Sequence, residues 1–359
     1  MSMLVCRWGL MGTATIGRKA WKAIGRTENG AVVAVASRDL RRAEQYIDGC
    51  QSHFLMPSKV RAAGNYEALL DDDEVDAVYI PLPTGVRKEW VIRAARAGKH
   101  VLCEKPCAAS ADDLREMLKA CDDHGVQFMD GVMFMHSSRL AAMRAVLDDP
   151  QQLGVIRRIA SQFSFCADAE FLRRNIRVQR ELEPFGCLGD LGWYNIRWAL
   201  WVMKGALPIH VQGTIWQGTE PRGSQANVPL DFSAELEFEN GVTSSFYCSF
   251  VTHHQQWAHV SGTLGSFRVD DFVLPFYGNA SRFQTDRADF NPTGWDFNME
   301  HYQQMHEVAE FSNSHFNAPE TRMFRHFNHC VLERRLDPLW PDWSLKTQIV
   351  LDACLLSAH

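Results

Sequence analysis

The first third of the chain alternates two kinds of segment, and that alternation restricts the fold more than any other feature. Leu4 to Leu10 is an apolar run that ends in a glycine-rich turn, and Arg18 to Arg26 then reads as a helix. Ala31 to Ser37 (AVVAVAS) is a second buried strand, followed by the helical stretch Leu40 to Cys50. A helix at Asn65 to Asp72 precedes a strand at Val75 to Pro83. A helix from Arg87 ends at Gly98, and the strand HVLCEKP follows. Ser110, with Asp113 three residues on, opens the next helix close to a capping box. Leu114, Met117, Leu118 and Cys121 recur there at helical spacing. Val126 to Phe134 closes the series. Apolar strands separated by helices predict a parallel sheet covered on both faces.

After about residue 150 the period changes. Leu230 to Gly241 puts Phe232, Ala234, Leu236 and Phe238 on one face, and Thr243 to Val251 alternates too. Such runs are half-buried antiparallel strands, here joined by the turn Glu239-Asn240-Gly241. Helices are expected from near Asp190, over roughly Met299 to His315, and over Leu345 to Leu356. The expected organisation is an α/β domain with a parallel sheet over 1–130, followed over 131–359 by an α+β domain with a mostly antiparallel sheet.

Composition excludes some partners. The 359 residues are 46% hydrophobic and 22% charged, with net charge -6, ordinary for a globular chain long enough for two domains. A mildly acidic balance argues against nucleic acid or an anionic membrane, since both reward a basic face. The N-terminus lacks the pattern of a secretion signal, and no apolar run reaches the roughly 18 residues of a membrane span. Ten cysteines are scattered without a CxxC pair. Reduced, buried thiols and a cytoplasmic location are the expectation.

Gly12-Thr13-Ala14-Thr15-Ile16-Gly17 follows the first strand and opens a helix. This is a GxGxxG fingerprint with alanine at its centre, built for a tight turn and close approach of the backbone to a pyrophosphate. The helix N-terminus favours the anion. The second strand ends Ser37-Arg38-Asp39. A hydroxyl and a guanidinium stand where NAD enzymes favour a carboxylate, and arginine binds phosphate bidentately. The expected cofactor is NADP, with NAD possible; a solvated turn with Asp39 capping the next helix is the plainer reading.

These segments carry a family resemblance. The Gly12 fingerprint, PLPTG at Pro81–Gly85, AGKHVLCEKP at Ala97–Pro106, GCLGDLGWY at Gly186–Tyr194, GTLGSFRV and LKTQIVLDA together resemble the Gfo/Idh/MocA oxidoreductases over nearly the full length. The branch resembled holds glucose–fructose oxidoreductase, dimeric dihydrodiol dehydrogenases and NADP-dependent D-xylose dehydrogenases. The resemblance implies an α/β Rossmann domain over 1–130 joined to an α+β domain over 131–359 with a large open, mostly antiparallel sheet. It implies a dehydrogenase whose Lys105 reaches substrate and cofactor, with a cis peptide before Pro106. It also implies that Gly12 to Ile16, Ser37, Arg38, Pro81, Leu82, Pro83, Thr84, Glu104, Lys105 and Pro106 face the cofactor.

Elementary chemistry agrees with the lysine. It stands at the carboxyl end of a parallel strand, where open α/β sheets bind ligands, and its charge lowers the pKa of a nearby acid. Asp190 and Tyr194 are four apart and share one face of a helix. Many members of the family carry DxGxH here; the tyrosine matches the branch in which it serves as acid/base. Arg177 and Trp193 are further pocket candidates. Arg87 stands four residues after Pro83, where the family frequently has histidine. His301, His306, His326 and His329 fall in helix-like segments without a complete ligand set, so no metal is expected. The expected reaction is hydride transfer between a nicotinamide and a polyhydroxylated substrate: a sugar, polyol or cyclic diol such as D-xylose, D-glucose or a trans-dihydrodiol. A non-catalytic NADP-binding sensor and an interaction protein on the same fold are the alternatives. The resemblance implies a homodimer, or a dimer of dimers, through packing of the open sheet against its copy.

Overall fold

The structure is a computed structural model that describes residues 4–221, 224 and 227–359. The chain forms two compact units. The first gathers Met1–His136, Gln179–Phe185 and Asn313–Ile349; the second gathers Ser137–Val178, Gly186–Ser312 and Val350–His359.

In the first unit, strands β1 (Cys6–Met11), β2 (Gly30–Ala36), β3 (Arg61–Ala63), β4 (Ala77–Ile80), β5 (His100–Cys103) and β6 (Phe128–Asp130) form one sheet. Its order is β3-β2-β1-β4-β5-β6 and every pair is parallel. Helices α1 (Thr15–Gly25), α2 (Leu40–Gln51), α3 (Tyr66–Leu70), α4 (Thr84–Arg96) and α5 (Ala111–Asp123) separate the strands. Successive connections run out from β1 to one edge and then from β4 to the other. The carboxyl ends of β1 and β4 therefore bound a crevice, the usual ligand position in such sheets. Trp8 on β1 is fully buried, packs on Phe324 and Phe327, and donates its indole N–H to Asn328 Oδ1 at 2.8 Å.

Helix α6 (Arg139–Asp148) and strand β7 (Ile156–Cys166) open the second unit. A single turn α7 (Phe171–Arg174) and a 3₁₀ turn, Ile176–Val178, lead to a π-helical turn, Leu188–Gly192, and then α8 (Trp193–Val202). Strands β8 (His210–Gly218), β9 (Pro229–Glu237), β10 (Thr243–Ser249), β11 (Val251–Gly262), β12 (Ser266–Val269), β13 (Ala280–Pro292) and β14 (Phe297–Ala309) complete a sheet ordered β14-β13-β12-β11-β7-β10-β9-β8. Among the described residues of this sheet, β7 and β10 are the only named strands that pair in parallel. On β9 the expected alternation holds: Phe232, Ala234 and Leu236 are buried while Glu235 and Glu237 are exposed. Helix α8 is buried along its whole length, and Asn195 on it donates to Ser161 Oγ of β7 at 2.8 Å. Helices α9 (Pro319–Leu332) and α10 (Leu339–Ala358) end the chain.

One expected helix is absent. Met299 to His315 reads as helix because Met, Glu and Gln favour it, yet residues 297–309 form β14, paired with β13 from Ala280↔Ala309 to Pro292↔Phe297. A tight turn joins the two strands, with the Thr293 amide donating to Asp296 O at 2.8 Å. Pairing over thirteen residues outweighs a weak local propensity. His301 and His306 consequently lie on a strand, and only His326 and His329 lie on a helix. Among the described residues no helix is long and apolar enough to cross a membrane.

Candidate active site

The Gly12 loop has the form an anionic ligand requires. Gly12 sits at φ +101°, and a Cβ there would lie 3.3 Å from Leu82 Cδ2 and 3.6 Å from the Tyr66 hydroxyl. Any larger residue would be strained and would fill the turn. The Gly12 amide is tied to Ala36 O at 2.8 Å, which fixes the turn to β2. Ala14 is the N-cap of α1 and offers no side-chain acceptor, and no acidic residue stands in that helix's first turn. Thr13 and Ala14 are half-buried, and Thr15 and Ile16 are exposed. Gly17 packs beneath the Tyr46 hydroxyl of α2 rather than against a strand. These features fit a dinucleotide pyrophosphate at the α1 N-terminus.

The end of β2 supplies the charge. Ser37 is buried, and its amide donates to Ala63 O at 3.0 Å. Arg38 is exposed. Asp39 caps α2, accepting from the Arg41 amide at 2.9 Å, so its carboxylate is engaged in the helix start. Burial raises the Tyr66 hydroxyl pKa, whereas the charges of Arg38 and Arg42 pull it down. Both charges therefore act on Tyr66, whose hydroxyl lies near Gly12. Arg42 was not singled out from sequence, although Arg38, Arg41 and Arg42 crowd five residues and could have signalled it.

At the carboxyl end of β5, the Lys105–Pro106 peptide is cis, as the resemblance implies. Glu104 accepts a short hydrogen bond from the Tyr79 hydroxyl, and the Lys105 amide donates to Glu104 Oε2 at 3.2 Å. Tyr79 is wholly buried, which pushes its hydroxyl pKa well up, and Glu104 pushes it further. It stays a donor at neutral pH. Lys105 is half-buried and Pro106 buried. Around Pro81 to Thr84, Leu82 and Thr84 are buried. Thr84 donates both its amide (3.2 Å) and its hydroxyl (2.5 Å) to the Glu183 carboxylate. Glu183 lies 99 residues away, and nothing local in the sequence marks it.

In the second unit, Asp190 stands within the π-helical turn Leu188–Gly192 and Tyr194 on the first turn of α8. Such turns, with i→i+5 bonds, occur often at functional sites. Arg177 Nε lies 2.8 Å from Asp190 Oδ2, and Asn175 Oδ1 accepts from the Arg177 amide at 3.0 Å. Tyr194 is 8% exposed and meets Phe163 edge-on at 5.6 Å between ring centroids. Trp193 is fully buried beneath the Arg197 guanidinium. The first unit thus brings Gly12 close to Leu82, with Ser37 and Arg38 at the end of the neighbouring strand β2. The second joins Arg177 to Asp190, with Tyr194 following on α8.

Comparison with known proteins identifies the family. The family described as "Oxidoreductase family, NAD-binding Rossmann fold" matches residues 6–132, and the GFO/IDH/MocA C-terminal domain matches 140–268. An NADP(+) D-xylose 1-dehydrogenase from Haloferax volcanii is 34% identical over 355 residues, 96% of this chain and 99% of that protein. The trans-1,2-dihydrobenzene-1,2-diol dehydrogenase of Mus musculus is 28% identical over 274 residues, 76% of this chain and 77% of that one. Among solved structures, a 3-ketoreductase from Actinomadura kijaniata in complex with TDP-benzene and NADP superposes with TM-score 0.81 at 25% identity, covering 97% of this chain and 96% of that one. Full-length identity to a sugar dehydrogenase and both matching domains lead to one conclusion: the chain belongs to the Gfo/Idh/MocA family of NAD(P)-dependent oxidoreductases.

Proposed function

We propose that the protein is an NADP-preferring oxidoreductase that moves a hydride to or from a hydroxyl-bearing carbon of a sugar. The observation that carries the reading is the Lys105 turn at the mouth of β5, in the same unit as an open Gly12 cradle and an arginine-bearing β2 end. When bound, the nicotinamide supplies the hydride acceptor or donor. Gly12 to Ile16 hold the pyrophosphate against the α1 N–H groups. Ser37 and Arg38, with Arg42, hold the 2′-phosphate and so select NADP over NAD. Pro81 to Thr84 and Glu104 to Pro106 flank the ring and keep water from it.

In the oxidation direction Tyr194 takes the hydroxyl proton at its Oη; in reduction it returns it. Lys105 Nζ polarises the substrate oxygen and favours the phenolate form of Tyr194, since a cation stabilises a nearby anion. Asp190, held by Arg177, accepts a hydrogen bond from a second hydroxyl and so orients the substrate. A polyhydroxylated substrate suits this donor and acceptor set. The xylose dehydrogenase relative and the ketoreductase with its TDP ligand support a sugar.

The reading assigns 1–130 to cofactor binding and 131–359 to substrate binding and self-association. Exposed Trp216, Phe297, Met299, Tyr302 and Met305 on β8 and β14 support a homodimer or a dimer of dimers through the sheet. Light scattering that finds only a 40.8 kDa species at micromolar concentration contradicts it. A cytoplasmic location suits ten free cysteines, nine of them buried. The activity is tested with a panel of D-xylose, D-glucose, other sugars and trans-dihydrodiols, each with NAD and NADP, followed by absorbance of the reduced cofactor. Turnover of at least one sugar with higher kcat/KM for NADP is expected. No turnover across the panel by a protein that binds NADPH contradicts catalysis.

A further inference from the structure

Arg87 departs from the histidine frequent in the family, and the structure gives it a definite task. It lies in the first turn of α4 and is 4% exposed. Its Nε donates to Leu82 O at 2.5 Å, and its Nη1 donates to Glu104 O at 2.7 Å and also to Pro106 O. One planar group thus ties the loop after β4 to the turn after β5. The two carbonyls on the β5 side bracket Lys105, one immediately before it and one immediately after. The Thr84 hydroxyl adds a contact to Pro106 O at 3.4 Å.

The charge is balanced within the same unit. Glu183 Oε1 stands 4.0 Å from Arg87 Nη2, and both groups are buried. A buried guanidinium without a counter-charge is costly, so Glu183 is part of the device. The carboxylate is held in turn by both donors of Thr84. Its segment docks closely: the Gly85 amide donates to Leu182 O at 3.0 Å, and a Cβ on Gly85 would fall 2.0 Å from Glu181 O. Only glycine permits that approach. Lysine could not replace Arg87, because a point charge on a flexible stem cannot bond three carbonyls at fixed angles.

We infer that Arg87, balanced by Glu183, is a positioning residue that fixes the backbone on both sides of Lys105 and so sets the place of its ammonium group. The inference rests on the role of Lys105 proposed above. The test compares Arg87→Lys, Arg87→His, Lys105→Met and the double variant Arg87→Lys/Lys105→Met on the full chain. NADPH binding by fluorescence and the pH profile of kcat are read for each. Misplacement by about 1 Å lowers kcat by roughly 10²-fold, and Arg87→Lys is expected to do so with a much smaller loss of NADPH affinity, since the same backbone flanks the cofactor. The apparent pKa reporting Tyr194 moves up, because the cation that favours the phenolate has shifted. In the Lys105→Met background, Arg87→Lys costs nothing further, which a general loss of stability would not reproduce. If Arg87→Lys does not bind NADPH, Arg87→His is read by the same criteria. Wild-type kcat and pH profile in an Arg87 variant, beside an inactive Lys105→Met, overturn the inference alone. Near-normal turnover by Lys105→Met overturns the lysine assignment and the inference with it.

Discussion

Arg177 and Asp190 form a pair in which the guanidinium Nε lies 2.8 Å from the carboxylate Oδ2, the arginine more exposed than the acid. The acid sits in a π-helical turn four residues before Tyr194. The pair explains how a carboxylate on an irregular turn keeps one orientation. Arg177 is fastened at its own amide by Asn175, so the hold passes from one short turn to the next.

Arg177→Gln should loosen Asp190 without touching the cofactor unit. A half-exposed ion pair contributes up to about 1 kcal/mol, equivalent to roughly fivefold in an equilibrium constant. The sugar KM should therefore rise by that order, with NADP affinity unchanged. Steady-state kinetics with each substrate varied in turn check this; an unchanged sugar KM shows that Asp190 needs no such hold.

Arg38→Ala and Arg42→Ala should each weaken NADP far more than NAD. A charge-assisted hydrogen bond contributes about 1.5–3 kcal/mol, so each loss should exceed roughly tenfold for the phosphorylated cofactor. Titration calorimetry with both cofactors measures the ratio. Equal losses for NAD and NADP mean that neither arginine reads the 2′-phosphate.

Acid should destabilise the protein in part through His100. Its Nδ1 accepts from the Gln127 amide at 2.8 Å, and burial holds the imidazole pKa down to about 4. The unfolded value is about 6.5. Between these two values the unfolded chain takes up a proton that the native ring refuses. Stability from this group is therefore complete above pH 6.5 and is lost as pH falls toward 4. Allowing for partial exposure, the loss is about 2 kcal/mol by pH 4. His100→Asn keeps an acceptor without the titration, so urea midpoints at pH 7 and 4.5 should differ less in the variant than in the wild type.

Local signals carried much of this architecture. The apolar β1 run followed by Gly12 and α1, and the alternation of Phe232, Ala234 and Leu236, are written within a dozen residues each, and both appear as read. The PLPT and EKP segments were likewise visible as strand ends. What escaped depends on distant partners. Arg87 read only as a departure from the family's histidine; its task was hidden because its carbonyl partners lie 5, 17 and 19 residues away. Glu183 is invisible without the fold that brings it to Thr84. Residues 297–309 misled for the same reason: their helix-favouring composition is outweighed by a partner strand.

The most direct test of the account is the turnover of Tyr194→Phe on a sugar that the wild type oxidises with NADP. The substitution keeps the ring and its edge-on packing against Phe163 and deletes only the transferable proton. Free tyrosine ionises near pH 10, so the account needs Lys105 to assist it, and the two should behave as one unit. Tyr194→Phe should lower kcat by roughly 10²–10⁴-fold with NADP affinity nearly unchanged. Lys105→Met should lose about as much, and the double variant should be little worse than either. Near-normal kcat for Tyr194→Phe would contradict the account and move the proton to another group.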